Sequence, residues 1–432
     1  MTFDEQVNTL EDLMILESGF AFKSSEWVES GTPVIKIRNV QDGYVDLSGC
    51  SFVSDETAKK ASSWYGEIGN TLIALTGAGV GEIGRIRDKQ SGLINQRVGW
   101  VRPKDSEEED YIYYLLRYFK TEIIELASGS AQPNVSPKDI LRIPCQVPLK
   151  LERVAVGTIL SVLDEKIVLN NLVSQTLEDI AQTIFKSWFI DFEPVKAKMA
   201  GETPAGMDAA TAALFPEAME ESELGLVPRG WNIKPAADLF EVGIGRTPPR
   251  KEPEWFCKGT EGIPWVSIRD MGTFETYSHA TNEGLTQAAI DKFKVPVVPE
   301  NTVLMSFKLT VGKLCISDVD LVTNEAIAHF RISQSSPLNT FYTYLWLSNL
   351  DMGSLDSTSS IGTATNSGVI KQIKFLLPPK GLLDNFHDKV SSIFSQLKLL
   401  RKQTTNLVLL RDALLPRLIS GELQIPEEML AS

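Results

Sequence analysis

Residue types that do covalent or metal chemistry are thinly spread along this chain. The three histidines, His279, His329 and His387, have no Cys or carboxylate at ligand spacing, so no metal site is expected. The four cysteines, Cys50, Cys145, Cys257 and Cys315, form no CxxC pair and read as reduced thiols. A P-loop is absent: Gly312–Lys313 runs into Leu314 rather than Ser or Thr, and position 307 is Phe. The Pro pairs are TPPR and LPPK, so the Asn/Asp-Pro-Pro-Tyr/Phe signature of amino-methyl transfer is missing. Residues 77–84 (GAGVGEIG) look like a phosphate cradle after a strand, but they open no helix, and a plain turn is expected. What remains is a set of cations, amides and glycines in loops, which suits binding rather than catalysis.

The elements that must position those loops come in duplicate. Residues 151–191 contain no Pro, and Val156, Leu163, Asn170, Leu177 and Ile184 recur every seventh residue. Leu160, Ile167, Ser174, Ala181 and Trp188 form a second row four further on, which makes an apolar seam on one face of a long helix. Near the C-terminus Phe386, Ile393, Leu400, Leu407 and Leu414 repeat the first row, with Val390, Leu397, Thr404 and Arg411 beside them. The shift is roughly 230 residues, an internal-repeat signal. A helix of ~30–35 residues is ~45–50 Å long, too long to bury its seam in its own small domain, so its mate is the other copy. Asn170 and Ser174 fall mid-seam; they either pin the register or face solvent at a bend.

The globular parts repeat too. IPWVSIRDM answers PVIKIRNV, NTVLMS answers NTLIAL, VTNEAIA answers LINQRVG, and STSSIGTATNSGVI answers SGSAQPNVSPKDI. Strands are expected at 33–40, 70–75 and 93–101, a helix at 111–126, and extended chain at 140–147. The expected division is 1–150, a mixed α+β globule; 151–191, a long helix; 192–230, a linker with a short Ala-rich helix; 231–380, the second globule; 381–420, the second long helix; and 421–432, a tail.

Composition sets bounds. A length of 432 residues suffices for two or three domains, and 43% hydrophobic residues is ordinary for a globular protein. A net charge of −14 counts mildly against a free-standing nucleic-acid binder, but the acids cluster at 107–110, 217–223 and 427–428, which read as loops or tails. The start of the chain is acidic without an apolar signal region, and no apolar run is long enough for a bilayer, so a cytoplasmic protein with no membrane partner is expected.

Two similar globules on a rigid spacer make a ruler, and double-stranded DNA offers half-sites about one turn (~34 Å) apart. The sequence resembles the DNA-specificity subunits of type I restriction–modification systems over nearly its whole length. The resemblance is carried by WFIDFEPVKAKMAGETPAGMDAATAALFPEAMEESELGLVPRGW (188–231), by LLRDALLPRLISGEL (409–423) and by the SAQPNVS loop. It implies an α+β fold: two target-recognition domains related by a pseudo-two-fold axis and joined by two long antiparallel helices in a coiled coil. It also implies that each domain reads half of a bipartite asymmetric target. Two methyltransferase subunits, and through them restriction and translocase subunits, would dock on the chain. The chain itself would be non-catalytic and bind no cofactor, with S-adenosylmethionine, ATP and Mg on the partners. The first domain lacks an opening like Val227–Trp231, the VPRGW sequence.

Base readout needs planar or bidentate groups at loop tips, and phosphates need Lys, Arg or backbone N–H. The first-half candidates are Lys23, Lys36, Arg38, Gly77, Gly79, Arg85, Gln96, Arg97, Gln132 and Asn134. Those of the second half are Arg246, Arg250, Arg269, Lys308, Thr310, Lys313, Thr365 and Asn366. Any one Lys or Arg is more often a solvated surface charge. Asn95 and Asn324 read as turn residues, and Tyr113, Tyr114 and Tyr118 as core on a helical period. Trp188 and Phe189 are expected on a subunit-docking face. The competing reading is a coiled-coil scaffold that spaces two partner proteins and never touches DNA.

Overall fold

The two seams form two helices, Lys150–Phe189 and Lys380–Ile419, each of 40 residues. The structure is a computed structural model describing residues 3–87, 91–127, 133–259, 261–308, 310–351 and 367–426. Its contacts divide the chain into unit 1, Met1–Val168 with Thr405–Ser432, and unit 2, Leu169–Thr404. Each long helix is therefore shared. Unit 1 holds the start of the first and the end of the second; unit 2 holds the other two portions. Within each unit the two portions run antiparallel.

Ten strands are described in unit 1: β1 (Met14–Ser18), β2 (Trp27–Val28), β3 (Thr32–Ile35), β4 (Gly43–Tyr44), β5 (Ser51–Val53), β6 (Tyr65–Gly66), β7 (Thr71–Ala74), β8 (Ile83–Arg85), β9 (Gly92–Ile94) and β10 (Val98–Pro103). They form two sheets, ordered β1-β10-β7-β8-β4 and β2-β5-β3-β9-β6. Unit 2 continues with β11 (Met219–Ser222), β12 (Gly225–Pro228), β13 (Asn232–Pro235), β14 (Phe240–Ile244), β15 (Phe256–Lys258), β16 (Ile263–Val266), β17 (Glu283–Leu285), β18 (Val303–Ser306), β19 (Leu314–Ile316), β20 (Val322–Thr323), β21 (Ile327–Ile332) and β22 (Lys374–Leu377). Its main sheets, β14-β21-β18-β19 and β15-β17-β16-β20, repeat the two orders of unit 1 without the last edge strand. Even the parallel pairing recurs, with Val34 opposite Leu93 and Trp265 opposite Val322. The duplication read from the sequence is a duplication of topology.

The core of unit 1 packs the helix Glu109–Tyr118 between sheet and long helices. Tyr113 and Tyr114 are fully buried, as their helical period predicts, and so is Tyr111; Tyr118 is only half-buried against the same cluster, which Val156, Leu160, Leu418 and Ile419 close. The one glycine of the first long helix has a reason: a Cβ at Gly157 would sit 2.6 Å from the Tyr111 backbone nitrogen. Asp164 accepts from the Tyr114 hydroxyl at 2.9 Å and from Arg411 at 2.7 Å, which ties the two helix portions to the tyrosines. In unit 2 Tyr344 donates instead to Glu178 of the first long helix, at 2.8 Å, and packs edge-on against Phe394.

Of the expected seam, Val156, Leu160, Phe386, Val390 and Leu397 are buried, whereas Leu163, Ile167, Leu177, Ile184, Ile393, Leu400, Leu407 and Leu414 are half-buried. Asn170 does not face solvent: it is 1% exposed, and its amide nitrogen finds no acceptor among the described residues.

Several local expectations are corrected. The strand at 33–40 stops at Ile35, because the Asn39 side chain accepts from the Lys36 N–H at 2.9 Å and folds the chain into a 3-10 turn. The strand at 93–101 is two strands broken at Asn95. The tyrosine-rich helix ends at Tyr118, and Lys120–Leu126 forms a second helix. Part of 140–147 is helical, Pro137–Leu141, because Ser136 caps it. The stretch 192–230 is no slack linker: Val195, Phe215 and Val227 are buried in the unit 2 core. Trp188 and Phe189, expected on a docking face, are 5% and 0% exposed, enclosed by Phe386, Phe215, Trp231 and Tyr342. Aromatic area of this size is stabilised by burial, which leaves neither ring free for a partner.

Candidate nucleic-acid interface

In both units one turn gathers the loops that carry the candidate residues. In unit 1 it is Asn95–Gln96–Arg97, between β9 and β10. The Asn95 side chain accepts from the Arg97 N–H at 3.2 Å, an Asx turn. The chain after β1 lies against it: Phe20 N donates to Ile94 O at 2.8 Å and Gln96 N to Phe20 O at 2.9 Å. A Cβ at Gly19 would stand 2.2 Å from Ile94 O, so only glycine permits this approach. The glycine-rich loop joins from the other side. Leu75 N donates to Arg97 O at 3.0 Å, and Gly77 N to Pro133 O at 2.9 Å, which brings Asn134 alongside.

Unit 2 builds the same cluster at Asn324–Glu325–Ala326, between β20 and β21. Asn324 accepts from Ala326 N at 3.1 Å, Arg246 N donates to Thr323 O at 2.9 Å, and Phe307 N donates to Ala326 O at 3.0 Å. Gly245 repeats Gly19, since its Cβ would meet Thr323 Oγ1 at 2.1 Å.

The candidates divide by what already holds them. Lys23, Gln96, Arg97, Asn134, Arg269, Thr310 and Lys313 are exposed, Gly77 and Gly79 half-buried, and none has a side-chain hydrogen bond among the described residues. Lys308 is half-buried over the Phe307 ring, 5.4 Å from its centre. Others are engaged. Arg85 must be corrected: its side chain is 13% exposed, 2.6 Å from Asp110, and stacked on Tyr113, so it belongs to the core. Lys36 lies 3.6 Å over the Trp27 ring and donates to Ser51 at 2.8 Å, and burial, with Arg38 nearby, lowers its pKa. Arg38 donates to the Gly49 carbonyl, and Arg246 to the Phe293 carbonyl at 2.6 Å. Arg250 binds both oxygens of Glu283, at 2.8 and 3.0 Å, and lies against the rings of Phe256 and Trp265. Gln132, Thr365 and Asn366 lie outside the described residues.

Two residues of this face were not singled out in the sequence. Glu325 stands at the turn tip, where unit 1 has Gln96; the pairing of VTNEAIA with LINQRVG marked the place, but a search for cations passes over an acid. His329, 4% exposed, stands behind the turn with Nε2 at 2.6 Å from the Thr323 hydroxyl. Burial first, and then Arg331, pushes the His329 pKa down from 6.5 to about 4. The unfolded chain therefore takes up a proton as pH falls below about 6.5, while the folded chain refuses it until about 4. Stability falls across that window by about 3 kcal/mol, at about 1.4 kcal/mol per pH unit, and levels off below it. His329→Leu is expected to remove this slope; equal slopes for variant and wild type in urea unfolding between pH 7 and 4.5 would contradict it.

Among the described residues no cluster of His, Cys, Asp or Glu is placed to hold a metal ion, and no helix is long and apolar enough to cross a membrane. Both loop clusters present an exposed polar tip, Gln96 in unit 1 and Glu325 in unit 2. The family of the type I restriction modification DNA specificity domain matches residues 4–179 and 228–407. The chain belongs to this family. The chain is 30% identical to the type I restriction enzyme HindI specificity subunit of Haemophilus influenzae over 348 residues, 71% of this chain and 74% of that one. It is 27% identical to the MjaIX specificity subunit of Methanocaldococcus jannaschii over 346 residues, 77% and 73% of the two chains. The S subunit structure from M. genitalium shares the fold, with a TM-score of 0.57 at 14% identity and 99% of each chain covered. The two matched segments of the specificity domain each contain one of the two turns described above.

Proposed function

We propose that this chain is the sequence-specific DNA-binding subunit of a type I restriction–modification enzyme, reading a bipartite asymmetric target with one half assigned to each unit. It is a non-catalytic subunit that docks two methyltransferase subunits and, through them, restriction subunits; S-adenosylmethionine, ATP and Mg belong to those partners. One observation carries the reading. The turn at Asn95 and Asn324, with its glycine-backed neighbour loop and exposed tip, is kept in both units while the tip side chains differ. A scaffold that never touches DNA accounts for the acidic balance but gives no reason to keep the turn and vary its tip.

Exchanging residues 231–380 for those of another specificity chain is expected to change one half of the methylated sequence and leave the other. The check is mapping of modified bases in DNA from cells carrying the exchange together with the methyltransferase subunits. Altered recognition of both halves would refute the assignment of one half to each unit.

A further inference from the structure

The two turn tips carry different recognition chemistry on the same backbone. Gln96 is exposed, and its amide has no hydrogen-bond partner among the described residues. Glu325, at the equivalent place, is exposed; its carboxylate accepts from the Thr247 hydroxyl through Oε2 and from its own backbone N–H. The Thr247 bond chiefly, then the backbone N–H, with Lys308 and Arg250 nearby, holds the carboxyl below the usual carboxylate range. Glu325 is thus an acceptor-only group oriented by these two bonds at an exposed turn tip. Such a charge is repelled by phosphates, so its place on a DNA-reading face is a base edge that offers a donor.

Base chemistry then separates the two. In the major groove adenine presents an amino donor beside the N7 acceptor, which a carboxylate meets with one repulsive contact; cytosine presents its 4-amino donor with no acceptor beside it. A carboxamide both donates and accepts, and it matches adenine. We propose that Glu325 is a specificity-determining residue that selects cytosine in the half-site of unit 2, and that Gln96 selects adenine in that of unit 1. This rests on the DNA reading above. The shared Asx turn and the glycine-backed neighbour loop place the two tips at the same point of the fold, so the side chain is the variable that sets the base.

The test uses the full chain with its methyltransferase subunits. Modified bases are mapped in genomic DNA from cells carrying the wild type, E325Q or Q96E, and the complexes are then offered pairs of duplexes that differ at one base pair. E325Q is close to isosteric at an exposed site, and the unchanged half of the target reports folding within the same experiment. The expected result is a motif altered at one base pair of the unit 2 half, from cytosine to adenine, with a preference of roughly 5- to 150-fold on each side of the switch. Q96E should make the reverse change in the unit 1 half only. An unchanged motif in E325Q overturns the proposal, as does a change confined to the unit 1 half. So does loss of all methylation by an E325Q chain that still co-purifies with its partners. A wild type that methylates no bipartite motif would instead overturn the DNA reading itself, which keeps the two failures apart.

Discussion

Replacing Phe386 by Ala is expected to cost unit 2 about 3–5 kcal/mol, the range for a fully buried Phe. Phe386 is 0% exposed, with ring centres of Phe189, Phe185 and Trp188 at 5.0, 5.8 and 5.9 Å. It is the second helix's contribution to an aromatic cluster that includes Phe185, Trp188 and Phe189 of the first, so its loss opens a cavity where the two portions of unit 2 meet. Neighbours of this rigidity relax little into such a space, which places the cost above simple transfer of the side chain from water. Tryptophan fluorescence in urea can follow it, because Trp188, Trp231, Trp255, Trp265 and Trp346 belong to unit 2. A midpoint shift equivalent to under about 1 kcal/mol would show that the cluster is loosely packed.

Arg153→Ala is expected to cost unit 1 a similar amount by a different route. The Arg153 side chain is 6% exposed and binds Glu108, itself 4% exposed, at 2.7 Å; it also binds Asp4 and the Pro148 carbonyl, both at 2.9 Å. Removing the cation strands the Glu108 carboxylate in the core, and breaking a buried pair in this way costs about 3–5 kcal/mol. Replacing both partners with apolar groups, Arg153→Met with Glu108→Leu, should recover most of the loss, because the penalty comes from the unpaired charge. A double variant as unstable as the single one would contradict that account. The acid dependence follows with its sign. Arg153 chiefly, then the Gln6 N–H, holds the Asp4 pKa below 3.8; its contribution is present above that value and is lost as pH falls through the lowered one. In Arg153→Ala the largest part of that acid-labile contribution disappears.

The repeat was legible because it was written twice. The period of the two seams and the order of the strand-like runs survive divergence, since both reflect which faces are apolar. The fine boundaries were not legible, because single side chains decide them. Asn39 ends a strand by binding the backbone at 36, and Asn95 splits what reads as one strand into two. At the interface, charge alone was a poor guide. Arg85 and Arg250 have the composition of DNA contacts but are committed to Asp110 and Glu283. Those carboxylates lie 25 and 33 residues away in sequence, beyond the reach of local pattern. Trp188 and Phe189 misled for a related reason: a large aromatic at a helix end reads equally as core or as contact surface, and only the burial of Phe215 and Trp231 against them decides it.

The division of each long helix between two units has a bearing on biosynthesis. Unit 1 needs Arg411, Leu418 and Ile419 to complete the cluster around Asp164 and Leu160. Those residues are polymerised about 250 positions after Val168, a wait of about 12–50 s at ~5–20 residues per second. During that interval the nascent first half exposes the apolar flank of its own helix while unit 2 is still being made. The earlier-made half of the molecule is thus the later to be finished, and a ribosome that stalls before residue 411 leaves it open to chaperones and proteases.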